Sequence, residues 1–380
     1  MENQKARMRV GEGRISGAIS IFLGSLSLAG ILAFKFPEQF TTPELREIYT
    51  AEMVENLMYG AIIATFFFAL LSILLNKKKK LGVIGTILGV LSIVFGGLTV
   101  EGRSVAEVSW SIGLDWLILD LFIMALLFVP IELAFPKNKL QSKFHAEWKT
   151  DLIYFGISHL AIQFFGVISK KPAEGLFGWM SLGSIQNWVS GLPFLAQLLL
   201  ALLITDLFQY WTHRVFHSHH YLWRFHSVHH SIKNMDWLAG SRIHFIDVFF
   251  TRSMTYIPLY VLGFSTLTFN VFIIFIAIHT VLIHANTNIK FGFLKYIITT
   301  PQYHHWHHCV DPKYYGKNYA VVFPLIDKVF GTYYLPGNEW PKATGLADAS
   351  FPKGFVRQLI FPFRRNPFKN NLPAEDRSKR

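Results

Sequence analysis

Residues 194–230 read FLAQLLLALLITDLFQYWTHRVFHSHHYLWRFHSVHH, a run that opens as an apolar helix and closes as a string of imidazoles. A bilayer-spanning helix needs roughly 20 mostly apolar residues, and the first half of the run supplies them, with Asp206 its one charge. His213 and His217 then follow four residues apart, and His226, His229 and His230 stand at offsets of three and four. The sequence HHWHH repeats that second spacing at His304, His307 and His308. Residues three and four apart share one face of a helix, so each cluster is expected to aim its imidazoles at a common point. Neutral imidazole is a ready ligand for iron, zinc or copper.

The rest of the chain fits a membrane setting. Of 380 residues, 52% are apolar and only 16% charged, against about 25% charged in soluble domains. Mean hydropathy is +0.33. The expected fold is all-α: a polytopic membrane helical bundle of about eight transmembrane helices, with a cytoplasmic helical cap holding a histidine-rich dimetal centre. Spans are expected near 15–36, 54–75, 81–100, 112–135, 152–169 and 191–211. The apolar run 248–284 is too long for one span and reads as a hairpin, with Pro258, Gly263 and Ser265 where a turn belongs.

Loop charges set the orientation, because positive loops face the cytoplasm. Lys5, Arg7, Arg9 and Arg14 precede the first span, Lys77–Lys80 follow the second, and Lys137, Lys139, Lys143 and Lys149 follow the fourth. Lys170 and Lys171 alone run against this pattern. All histidine boxes then fall on the cytoplasmic side, with a bacterial inner membrane favoured over the endoplasmic reticulum. The net charge of +12 is accounted for by these loops, and no nucleic-acid partner is expected. The basic start runs into a long apolar stretch without a small-residue cleavage site, so a retained first span is expected. Residues 1–110 read as an accessory region of three spans, 111–345 as the catalytic domain, and 346–380 as a polar, disordered tail. No internal repeat is visible.

Fourteen of the 16 histidines lie between His213 and His308. The single cysteine, Cys309, excludes a Cys-rich zinc site, an iron–sulfur cluster and a disulfide framework. There is no HExxH signature of zinc proteases. Eight box histidines exceed the protein ligands of one zinc, so at least two metals are expected, and an all-imidazole pair in a membrane points to iron handling O2. Asp206 lies seven residues before His213, two helical turns away on the same face, where it either holds an imidazole's outer N–H or pairs with a loop cation. His305, in the spacer of the last box, is expected to support the ligands. Asp115, Asp120 and Glu132 fall in the fourth span, where ionisable groups usually face the bundle interior. His219 and His220 read as solvated, and His145 and His159 are given no role.

The order HxxxH, HxxHH, HxxHH resembles the fatty acid hydroxylase/sterol desaturase superfamily of integral-membrane di-iron enzymes. The resemblance covers about residues 145–335 and includes TDLFQYWTHRVFH, FHSVHHS, DWLAGSRIH, HANTNIKFGFLKYIITTPQYHHWHH and KNYAVVFPLIDKVFGTYYLP. The last two also look like parts of alkylglycerol monooxygenases and bacterial sterol-desaturase-like proteins. It implies two iron ions with O2 as co-substrate, and hydroxylation or desaturation of a C–H bond in a sterol, fatty acyl or ether lipid. It adds His279 and His284 as ligand candidates and His244 as a supporting residue, with no catalytic group beyond the ligands. Electrons are expected from an external donor, a ferredoxin, a rubredoxin or a cytochrome-b5-like protein, because no Gly-rich dinucleotide fingerprint or CxxC spacing is present. The monooxygenase likeness adds a pterin. Two rival readings are a divalent-metal transporter with a histidine-rich site and a membrane zinc hydrolase.

Overall fold

The computed structural model describes residues 13–42, 50–97, 99, 113–160, 182–347, 351–364 and 368. Among the described residues the chain is helical, without strands; two isolated bridges join Pro136 to Thr287 and Cys309 to Thr344. It divides into two compact units, Met1–Leu119 and Asp120–Arg380.

In the first unit α1 (Arg14–Lys35), α2 (Ala51–Leu75) and α3 (Lys80–Val94) pack on one another. Their buried faces are small and hydroxylic, with Ser20, Gly24 and Ser27 on α1, Thr65 and Ser72 on α2, and Gly85, Gly89 and Ser92 on α3. Phe22, Ile63, Phe67, Leu70, Ile87 and Val94 point outward. Small residues inside and large apolar ones outside is the arrangement of helices packed in lipid. The approach is close enough that a Cβ on Gly85 would lie 2.1 Å from Ser20 Oγ. Buried hydroxyls bond to main-chain carbonyls, as Ser72 Oγ does to Gly13 O at 2.7 Å.

α4 (Leu114–Ala134) runs from the first unit into the second. In its first turn, Asp115 accepts hydrogen bonds from the N–H and hydroxyl of Thr42. Asp120 pairs with His159 at 3.2 Å. Near the other end Glu132 is buried and accepts the N–H groups of Trp237 and Asn286.

The second unit is organised on α5 (Phe194–Ser218), against which α6 (His220–His230), α7 (Phe245–Val261) and α8 (Thr266–His284) pack. Ala201 and Leu202 of α5, Leu259 of α7, Phe272 of α8 and Val322 share one core cluster. The short helices α9 (Pro301–His307), α10 (Pro324–Val329) and α11 (Phe355–Ile360) complete the unit. The expected hairpin takes shape as α7 and α8. Gly263 turns the chain with φ +72°, and Ser265 caps α8 by accepting Thr268 N–H. Only glycine takes such a φ without strain.

Among the described residues, five helices are long and apolar enough to cross a membrane: α1, α2, α4, α5 and α8. The other three expected spans differ. α3 is 15 residues long and ends where Gly96 turns at φ +99°; α7 has 17 residues; and the span expected at 152–169 is helical over 148–160, with 161–169 outside the described residues. Glu132 of α4, His213 and His217 of α5, Asp247 of α7 and His284 of α8 are joined by contacts around α6 and α9, so four helix ends meet at one place. Within 346–380, expected to be a disordered tail, α11 is formed and Phe361 is buried with Trp223 and Phe368. The aromatic residues in FVRQLIFPF give that stretch an apolar face that the polar end of the tail lacks. Residues 369–380 lie outside the described residues.

Candidate metal centre

Nine of the ten expected ligands come together, in two groups. His213, His217, His226, His230 and His307 form one, and His229, His284, His304 and His308 the other. Within each group the candidate ligand nitrogens lie within 4.8 Å of one another.

Helix geometry explains how the boxes are shared out. At about 100° per residue, positions i and i+4 lie about 40° apart, while i+3 leans about 60° to the other side. The i, i+4 pairs therefore stay together: His213 with His217, His226 with His230, and His304 with His308. The remaining member of each HxxHH triplet crosses over, His229 to the four-histidine group and His307 to the five-histidine group. The expectation that a whole box points at one spot is replaced by this exchange. The His230 and His308 rings stack at 4.4 Å where the groups adjoin.

Local sequence signals hold these helices in place. Thr300 caps α9, with Pro301 at the first helical position, where a missing N–H costs nothing. His219, extended at φ −96° and ψ 118°, separates α5 from α6.

The outer ring nitrogens are anchored. His213 Nδ1 donates to Tyr319 O (2.8 Å), His229 Nδ1 to Arg242 O (3.2 Å), His284 Nδ1 to Thr280 O (2.6 Å) and His307 Nδ1 to Lys317 O (2.8 Å). His226 Nδ1 donates to the Asp247 carboxylate at 2.6 Å. A neutral imidazole that donates from Nδ1 carries only a lone pair on Nε2. Yet His213 Nε2 faces His226 Nε2 at 3.0 Å, and His229 Nε2 faces His284 Nε2 at 3.2 Å. Lone pairs turned on each other at that distance repel unless a cation lies between them. His304 Nε2 faces His284 and His308 Nε2 at 3.0 and 3.1 Å. A metal about 2.1 Å from each nitrogen sets neighbouring donors roughly 3.0–3.4 Å apart, which these separations match. His217, His230 and His307 have buried Nε2 atoms with no hydrogen-bond partner among the described residues. Burial, reinforced by neighbouring imidazoles, holds His229, His230, His304 and His308 well below the usual imidazole range, and burial brings His307 to about 3. The rings are thus neutral near pH 7, the form that binds metal.

A cavity of about 60 Å³ opens onto the five-histidine group, lined by His217, His230, His307, Trp223, Tyr315 and Tyr319.

His279 is not brought to either group: its Nε2 donates to Val321 O at 3.0 Å and its ring stacks on Phe275. Asp206 reaches no imidazole and accepts the N–H groups of Val321 and Phe323 (2.8 and 2.6 Å). His244 caps α7 and donates to Leu359 O. His305 supplies no ligand nitrogen to either group; it packs on Trp340 and lies against the main chain of His284 and Ala285, beside the four-histidine group. His145 lies in a buried network with Asp236 and Asp151, the latter held by Arg242, whose carbonyl receives His229.

The sequence reading missed Asp247 and Asp327. Asp247 is the only carboxylate that receives a hydrogen bond from one of the nine imidazoles among the described residues, and a lone acid entering the apolar run FIDVFF was its signal. Asp327 accepts the N–H groups of Tyr319 and Ala320 and the Tyr303 hydroxyl, fixing the loop whose carbonyl orients His213.

Residues 198–332 match the fatty acid hydroxylase family. The chain is 34% identical over 179 residues to an ornithine lipid hydroxylase of Rhizobium tropici, covering 47% of this chain and 54% of that protein. It is 34% identical over 134 residues to an alkylglycerol monooxygenase of Danio rerio, covering 35% of this chain and 30% of the relative. A methylsterol monooxygenase of Arabidopsis thaliana is 28% identical over 151 residues, covering 38% of this chain and 50% of the relative. The match thus spans about half or less of each relative's length. No solved structure matches. The resemblance to the fatty acid hydroxylase/sterol desaturase superfamily is shown for the segment that carries the boxes, and the three relatives named above are a hydroxylase and two monooxygenases.

Proposed function

We propose that the protein is an O2-dependent, di-iron lipid hydroxylase of the membrane, with desaturation as the second outcome of the same chemistry. The observation that supports this most is the pair of buried all-imidazole groups, with lone pairs facing each other, at the meeting point of membrane-length helices. His213, His217, His226, His230 and His307 would hold one iron, and His229, His284, His304 and His308 the other. When bound, the two irons supply the O2 activation that oxidation of an unactivated C–H bond requires.

The chain's own residues do the rest. Tyr319, Arg242, Thr280 and Lys317 carbonyls and the Asp247 carboxylate keep five imidazoles in one tautomer and one orientation. Trp223, Tyr315 and Tyr319 wall the cavity beside the five-histidine group and limit water there. The relatives act on an ornithine lipid, an alkylglycerol and a methylsterol by name, which supports a lipid as substrate class. The centre faces the cytoplasm in this reading, as the basic loops imply. Electrons come from an external donor, an acidic ferredoxin-, rubredoxin- or cytochrome-b5-like protein, or from a pterin.

Metal analysis of anaerobically purified protein tests the proposal. About two irons per chain is expected from two ligand groups of this size. A single tightly held zinc would favour a hydrolase, and transport of divalent metal into proteoliposomes would favour a carrier.

A further inference from the structure

The loop after the last histidine box lies deeper among the helices than its place in the sequence suggests. Residues 320–323 have no regular secondary structure, yet Val322 belongs to the cluster formed by Ala201, Leu202, Leu259 and Phe272 of three long helices. Asp206, which accepts the Val321 and Phe323 N–H groups, precedes Trp211 by five residues and His213 by seven. At 1.5 Å per residue the loop therefore sits about 7–10 Å from these residues, towards the middle of α5. α8 holds it at a similar depth, because His279, five residues before His284, donates to Val321 O. Val322 O accepts Thr299 N–H at 2.8 Å. Non-helical backbone survives at membrane depth only where protein groups satisfy it, and here Asp206 and His279 do so.

The returning helix α10 turns Ile326 and Asp327 inward and leaves Leu325 60% and Val329 70% exposed. Phe330 then packs 5.0 Å from both Tyr210 and Trp211. Trp211 ends a row of outward residues on α5, Leu195, Leu199, Leu203 and Leu207, one at every fourth position. Leu325 and Val329 are exposed on the short helix that leads into Phe330, which packs against the end of that row. Lys328 between them bends back over the Tyr333 and Tyr296 rings, at 4.9 and 5.5 Å, as a cation does when its neighbours face hydrocarbon.

We propose that Ala320–Phe330 is a re-entrant segment, dipping into the leaflet at the metal-centre end of α5 and laying Leu325 and Val329 against lipid acyl chains. The inference rests on α5 crossing the bilayer and not on the metals or the reaction.

Depth-dependent quenching tests it. In a Cys309→Ala background, single cysteines replace Leu199, Lys313, Leu325 or Val329, carry a bimane label, and are placed in phosphatidylcholine nanodiscs. Nitroxides on the acyl chains should quench labels at 325 and 329 as strongly as at 199 and several-fold more than at 313. Aqueous iodide should give the reverse order. If 325 and 329 follow 313 while 199 is quenched by lipid, the re-entrant segment is overturned and the span stands. If 199 also follows 313, both are overturned.

Discussion

The carboxylate of Asp247, in the first turn of α7, accepts the Nδ1–H of His226 at 2.6 Å. The other anchored imidazoles of the centre give their Nδ1–H to main-chain carbonyls. A carboxylate partner makes the imidazole a stronger donor to metal, and losing such a partner typically lowers metal affinity 10–100-fold. Asp247→Asn should therefore reduce metal retained by the five-histidine group while leaving α-helical circular dichroism unchanged. Dialysis against graded chelator followed by elemental analysis reads this directly. Retention equal to wild type would show that the pair only packs α7.

Substitution of His279 separates its observed place from a ligand role. Because it bonds to Val321 O and stands outside both groups, His279→Ala should keep the full metal content and lose about 1 kcal/mol of stability with the hydrogen bond. His304→Ala or His307→Ala should lower metal content and abolish turnover. Loss of metal in His279→Ala, measured at equal protein folding, would restore it as a ligand.

The metal-free protein should become less stable in mild acid. Burial depresses the folded-state pKa of His307 to about 3 from an ordinary 6.5, and also depresses those of His229, His230, His304 and His308. Below 6.5 the unfolded chain takes up protons that the folded chain refuses, so stability present above that pH is lost as pH falls towards 3. Each such histidine contributes a slope approaching 1.4 kcal/mol per pH unit. Thermal melts of the metal-free protein between pH 7.5 and 5 should show a falling midpoint. A flat profile would contradict neutral, buried rings.

In the first unit, a side chain at Gly85 meets Ser20 Oγ at 2.1 Å. Gly85→Ala should cost about 1–3 kcal/mol by overpacking, visible as a lower melting temperature. Adding Ser20→Gly should recover much of it, and a double variant no better than the single would locate the strain elsewhere.

Turnover driven by an acidic protein donor should fall steeply between low and moderate salt, because exposed charges are screened over about 8–10 Å. Lys139, Lys149, Lys233 and Lys313 are exposed cations that such a donor would meet. Turnover with a small chemical reductant should not fall in that way. Equal salt dependence for both, or activity with pterin alone, would remove the docking surface from the account.

The histidine spacing disclosed that the eight box residues would gather, because i, i+4 geometry is local and survives any packing of the helices around it, whereas His284 was indicated only by the family resemblance. How each triplet is divided was hidden, since that depends on α6 and α9 facing each other across two sites. Asp206 shows the same limit. Its position on the His213 face was readable, but the loop at 321–323 that takes both its oxygens comes more than a hundred residues later. The apolar runs foretold the long helices, whereas the early end of α3 depended on how Gly96 folds. The hairpin was legible because Gly263 and Ser265 carry strong local preferences.

Both ligand groups draw on α9, through His307 in one and His304 with His308 in the other. Neither can be completed until synthesis has passed residue 308, and the carbonyls of Lys317 and Tyr319 that orient two of the rings arrive later still. α7 and α8 lie between the second and third boxes, so their placement comes before closure of either group. On the proposed assignment, completion of either ligand set is thus a late event in the biogenesis of this chain. If the groups bind metal as proposed, a nascent protein cut short before its final box lacks His307 from one group and His304 and His308 from the other.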